Sequence, residues 1–332
     1  MKITQPTKLL ILATAGVLAF GTTACGSSDG GSAGSGGLSV GVFLPGSVND
    51  TGFMQSGFDG FNRIKAKYGD KVDASYVEQV APADYQQALQ RFASKNDLVI
   101  SVGGQTDADV RKVAPQFPDV KFVEIGGPSD AVPMANLAYY DPQQAEAEFL
   151  SGAAAAKASK SGVVGFVGGV ELPAIVNAAN AFGNGARFAR PEIKVLTPQY
   201  VGDFNDPAKA KQAAGTAYAG GADVLGQIVN LGKQGMEQAA KESGNTLHGG
   251  PIPGDCAANT VYSGFVKTDI GTEIEYAVSS AMHGSWKAEQ VPFGVTTDKG
   301  GTAFVVCSTD PAVKDAVSKA TAAIVSGSAK PY

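Results

Sequence analysis

The side chains of this chain that can do chemistry gather just after its short apolar runs, in residues 45–53, 103–109, 168–173, 202–206, 230–233 and 253–255. These stretches hold Phe53 and Phe204 together with Asp50, Asp107, Asn205, Asn230 and Asp255. Aromatic faces stack on flat rings. Carboxylates and amides recognise hydrogen-bond donors. The combination suits a flat polar ligand such as a nucleoside or a sugar, and it does not suit a phosphate. Residues 42–60 read as strand, turn, acid, aromatic, then helix, an order that presents Asp50 and Phe53 to a cleft. Phe204 stands on a loop before a helix that opens on Pro207. A loop phenylalanine needs cover, from a ligand, from an opposite domain, or from its own domain's core. Asp107 and Asp109 are either an acid pair for proton transfer or solvated carboxylates at a helix start.

Other chemistries lack their residues. No G-x-x-x-x-G-K-[ST] phosphate loop occurs, and no G-x-G-x-x-G follows a strand. No G-x-S-x-G stands at a strand–helix junction as a hydrolase nucleophile requires. The chain has two histidines, His248 and His283, and three cysteines, Cys25, Cys256 and Cys307, in no metal-binding spacing. An enzyme is therefore disfavoured, and no cofactor or metal is expected. With 26 basic against 31 acidic residues the net charge is −5, which argues against nucleic acid as a principal partner.

The positioning elements alternate. The 332 residues are enough for about two domains. From residue 38 onward, strand-like apolar runs (39–44, 98–102, 121–125, 163–167, 223–229) alternate with helical patterns such as Phe58, Phe61, Ile64 and Tyr68. The pattern pauses near 136–142 and restarts. This order predicts an α/β protein with two doubly wound parallel-sheet lobes, ligands binding at the carboxyl ends of the strands.

Residues 1–24 read as an export signal: Lys2 and Lys8, then twelve apolar residues (9–20), then small residues up to Cys25. A flexible Gly/Ser tether occupies 25–37. The segment resembles a bacterial lipoprotein signal in which Cys25 becomes the lipidated N-terminus; the alternative is a plain secretory signal. No second apolar run of about 20 residues appears, so a lipid is the expected membrane anchor. Cys256 and Cys307 are either a disulfide, in an oxidising compartment, or two free thiols.

Several strings carry a more specific resemblance: Asp50-Thr51-Gly52-Phe53-Met54-Gln55-Ser56, Thr106-Asp107-Ala108, Phe149-Leu150-Ser151-Gly152, VGFVGG at 164–169 and VGDFNDPAK at 201–209. With them the chain resembles the basic membrane protein family of bacterial lipoproteins, the purine nucleoside receptor type of ABC-transporter solute-binding protein. The resemblance implies a type I periplasmic-binding fold. Its lobes would comprise 38–138 plus about 262–296, and 139–261 plus about 297–332. It implies a purine base sandwiched by Phe53 and Phe204, Asp107 bonded to the base, and Asp255 and Lys267 gripping the ribose. Asp50, Gln55 and Asn230 are counted with the site. It also implies a monomer that delivers its nucleoside to an ABC permease at the outer face of the cell membrane. The alternatives are a same-fold receptor for a sugar or other small polar ligand, and a sensing lipoprotein without transport. Met54 departs from the family's usual asparagine, and Asp255 lies in an atypical Pro-Gly-Asp-Cys context with a shortened loop before Lys267.

Overall fold

The computed structural model describes residues 37–258 and 261–332; the export segment and Cys25 lie outside the described residues. The first lobe is built from β1 (Leu38–Leu44), α1 (Phe53–Tyr68), β2 (Val72–Glu78), α2 (Tyr85–Ala93), β3 (Leu98–Val102), α3 (Asp107–Val113), β4 (Lys121–Ile125) and β5 (Leu137–Asp141). The second lobe follows with α4 (Gln144–Ala158), β6 (Val163–Gly168), α5 (Pro173–Ala189), β7 (Lys194–Val195), β8 (Gln199–Tyr200), α6 (Pro207–Ala219), β9 (Val224–Ile228), α7 (Lys233–Ser243), β10 (Thr246–Gly249) and β11 (Tyr262–Thr268). The chain then returns to the first lobe for α8 (Ile270–Met282) and β12 (Gln290–Pro292), and ends in the second with β13 (Thr302–Val306) and α9 (Pro311–Val325).

Among the described residues the first sheet has the order β12-β5-β4-β3-β1-β2, and every pair is parallel. The second runs β13-β11-β10-β9-β6-β7, with β8 beside the end of β6; only β13 is antiparallel. Helices cover both faces, so central strands are apolar on both sides. In β1, Val40, Val42 and Leu44 pack with Phe61, Ile274 and Val278 of α1 and α8, while Phe43 points the other way, onto Tyr85 and Leu89 of α2.

The chain crosses between lobes at 142–143, at Asp269 and between β12 and β13. Two boundaries therefore move from their expected places. β5 continues the first sheet to Asp141, and β11 belongs to the second sheet, so the second crossing falls after Thr268 and not at 262. The expected return to the first lobe begins with α8, whose Ile270, Ile274 and Val278 join the β1 core. In the second lobe α4 and α5 touch backbone to backbone. A Cβ on Gly152 would fall on the carbonyl oxygen of Phe182, and one on Gly185 on that of Phe149. Cys256 and Cys307 form a disulfide with Cα atoms 5.2 Å apart.

Candidate ligand-binding site

Strand ends set the site. The loops after β1, β3 and β4 face those after β6, β8 and β9 across a cavity of about 650 Å³, counting its open mouth. Asp50, Phe53, Met54 and Gln105 line it from the first lobe, Gln144 from the first crossing, and Leu172, Ile175, Phe204, Asn205 and Asn230 from the second.

Phe53 is the first residue of α1. The helix start is held by Asp50, whose buried carboxylate accepts the N–H groups of Gly52 (2.7 Å), Gln55 (3.0 Å) and Met54 (3.2 Å). An anion at this end satisfies otherwise orphaned donors and complements the helix dipole. The fourth donor comes from the other lobe: Asn230 Nδ2 donates to Asp50 at 2.7 Å. Asn230 Oδ1 in turn accepts the Phe53 N–H at 3.4 Å. A Cβ on Gly52 would collide with this amide, so glycine is what lets the two loops meet. Lys233 adds a second tie, donating from Nζ to the Thr51 carbonyl at 2.7 Å. Burial pushes the Asp50 carboxyl up, against the pull of its three backbone donors and of Lys233. Burial pushes the Lys233 ammonium down.

Phe204 is half-buried on its loop. Its carbonyl accepts the N–H groups of Asn230 (2.9 Å) and Gly232 (3.1 Å), which stitches this loop to the one after β9. Its ring covers Gly169, where a Cβ would strike it. The Phe53 ring lies against Gly126, whose Cβ would sit 3.1 Å from Cζ. Each ring thus rests on bare backbone in its own lobe and borders the shared cavity.

Of the residues expected from the sequence, Asp50, Phe53, Phe204 and Asn230 meet at this cavity, and four others do not line it. Gln55 gives its backbone N–H to Asp50. Asp107, at the start of α3, accepts from Tyr139 Oη at 2.7 Å, and Arg111 donates to the same hydroxyl at 2.7 Å. Glu124 is buried beside them, its carboxyl held well above the usual range by burial and then by the charge of Asp107. Asp255 is exposed and accepts the Ala257 N–H at 2.8 Å. Lys267 sits in β11 opposite Ala303 of β13. Gln105, Gln144, Leu172 and Ile175 are lining residues that sequence reasoning did not single out. Gln105 and Leu172 nevertheless fall in the post-strand stretches 103–109 and 168–173. Among the described residues, no group of three or more His, Cys, Asp or Glu side chains is placed to hold a metal, and no helix is long and apolar enough to cross a membrane.

Comparison with known proteins agrees with this architecture. The family model of the PnrA-like ABC transporter substrate-binding proteins matches residues 38–320. A purine-binding protein of Brucella abortus is 33% identical over 193 residues, covering 57% of this chain and 54% of the relative. Basic membrane protein A of Borreliella burgdorferi is 30% identical over 209 residues, 62% of this chain and 60% of the relative. An ABC transporter nucleoside-binding protein of Lactococcus lactis is 28% identical over 202 residues, 58% and 55% of the two chains. These matches span a little over half the length of each relative. Among solved structures, solute-binding proteins of Aeropyrum pernix (TM-score 0.75, 19% identity, 88% and 92% of the two chains) and Conexibacter woesei (TM-score 0.68, 21% identity, 88% and 98%) share the fold. Two parallel-sheet lobes with a cavity at their strand ends, and a family match over nearly all the described residues, place this chain in the PnrA-like family of ABC transporter substrate-binding proteins, which are type I solute-binding proteins and not enzymes.

Proposed function

We propose that this chain is an extracytoplasmic receptor, lipid-anchored through Cys25, that closes its lobes on a purine nucleoside or base and delivers it to an ABC importer. The observation that carries the reading is that Phe53 and Phe204, from opposite lobes, border one cavity. Two aromatic faces in a closing cleft suit a flat heterocycle, and each stacked pair is worth about 0.5–1.5 kcal/mol beyond burial. The names of the Brucella and Lactococcus relatives, purine-binding and nucleoside-binding, support the same chemistry. Closure changes the outer surface that a permease contacts. Mass spectrometry of small molecules released by denaturing the protein purified from its native host tests the proposal. A purine compound released in near-stoichiometric amount is the expected result. A released hexose would favour the second reading, a sugar receptor, for which the putative glucose-binding relative of Haloferax volcanii, 25% identical over 181 residues, is the supporting observation.

A further inference from the structure

We propose that this cavity is built for a bare heterocyclic base and discriminates against the nucleoside, because among the described residues no free charged group borders it to hold a ribose diol and the Cys256–Cys307 disulfide keeps Asp255 toward the far end of the second sheet. The proposal rests on the purine reading above and narrows it.

The lining polar groups can be accounted for one by one. Among the described residues Asp50 is the only charged side chain in the lining, and its two oxygens already accept four donors. Asn230 is spent on Asp50 and on the Phe53 N–H. The Gln144 amide donates to Thr268 Oγ1 at 3.4 Å. Lys233 gives its ammonium to the Thr51 carbonyl. What remains is the Gln105 amide, the side-chain oxygen of Gln144 and the amino group of Asn205, whose oxygen accepts the Leu231 N–H. A carboxamide offers a donor and an acceptor side by side, the pattern that pairs with the ring nitrogens and exocyclic groups of a base. Met54, Leu172, Ile175 and Ile228, also in the lining, offer a ribose hydroxyl no N–H or carbonyl partner from their side chains.

The path of the chain explains why Asp255 does not fill the gap. The loop after β10 starts at cleft level, where the Pro251 carbonyl accepts the Thr268 N–H at 2.8 Å. It then runs down the sheet: Gly254 lies against the Phe265 ring, and the next residue but one, Cys256, is bonded to Cys307. The Cys307 N–H donates to the Ser263 carbonyl, near the start of β11. Ser263 is five residues before the cleft-side Thr268, about 16 Å at roughly 3.3 Å per residue. Asp255, bonded directly to Cys256, is tethered toward that lower end.

Isothermal titration of the purified full chain with adenine, guanine and hypoxanthine, and with adenosine, guanosine and inosine, tests the proposal. The expected result is that the tightest base binds at least tenfold more tightly than its nucleoside, and that Asp255→Ala changes neither affinity by more than twofold. A nucleoside that binds within tenfold of its base, or more tightly, overturns the proposal and leaves the purine reading standing. So does a tenfold loss of nucleoside affinity in Asp255→Ala. If neither bases nor nucleosides bind, the purine reading fails and takes this proposal with it.

Discussion

Phe53→Ala and Phe204→Ala should each weaken ligand binding by roughly ten- to a hundredfold, about 1.4–2.8 kcal/mol. Both rings are half-buried at the cavity, so melting temperature should change little. A large melting shift with unaltered affinity would instead make the two rings parts of their lobe cores. A second test at this scale concerns charge in the interior of the second lobe. His248 Nδ1 lies 2.8 Å from Ser151 Oγ, and burial holds its ring down to about 3. An unfolded histidine takes up a proton near pH 6.5, so this residue costs stability as pH falls from about 6.5 to about 3. Glu148, one turn from Ser151, runs the other way, pushed by burial up to about 8. The folded chain keeps that proton, so its contribution is complete below about pH 4.5 and is lost as pH rises toward 8. Glu148→Gln should therefore raise stability relative to the parent at pH 8 and lose that advantage at pH 4.5, as denaturant midpoints at the two pH values would show. The four residues that do meet at the cavity were legible because each follows a strand and has a type suited to a flat polar ligand. Gln105 and Gln144 were not, since an isolated glutamine carries no pattern. Asp107 has the right type and place, but Tyr139 engages its carboxylate, and that depends on a strand more than thirty residues away.

At the level of elements, two contacts fix the second lobe. Gly152→Ala puts a methyl group onto the Phe182 carbonyl and should cost about 1–3 kcal/mol by overpacking. Calorimetry should register this as a lower melting temperature with ligand affinity intact in the folded fraction. Reducing the Cys256–Cys307 bridge, which closes a sequence separation of 51, should cost about 2–4 kcal/mol. Melting with and without reductant measures it, and a Cys256→Ser variant should show no further response to reductant. The alternating apolar runs and helical faces made the two-lobe architecture readable. β5 escaped because it is five residues long, follows a loop and ends at Asp141-Pro142, so it reads as a pause. β12 is only three residues and contains Pro292. The sheet to which β11 belongs was unreadable for a different reason: a strand's own residues do not name its neighbours, and its pairing with β10 and β13 is decided by the whole lobe.

For the whole molecule, the proposed anchor and the contacts across the cleft are what matter. Cys25→Ser should release the protein from membranes of its native host, and persistence in the membrane fraction would remove the lipid from the proposal. The lobes, for their part, are tied to each other by two side chains of the second. Asn230 to Asp50 and Lys233 to Thr51 span the cleft between residues of the two lobes. Such ties favour the shut arrangement. In the receptor proposed above, capture would then wait for an opening, and the apparent on-rate would be the intrinsic rate multiplied by the fraction of time the cleft is ajar. Release is slowed by the same latch. The proposed receptor would trade speed of loading for length of residence, which would suit a scarce solute held until an unoccupied importer comes within reach.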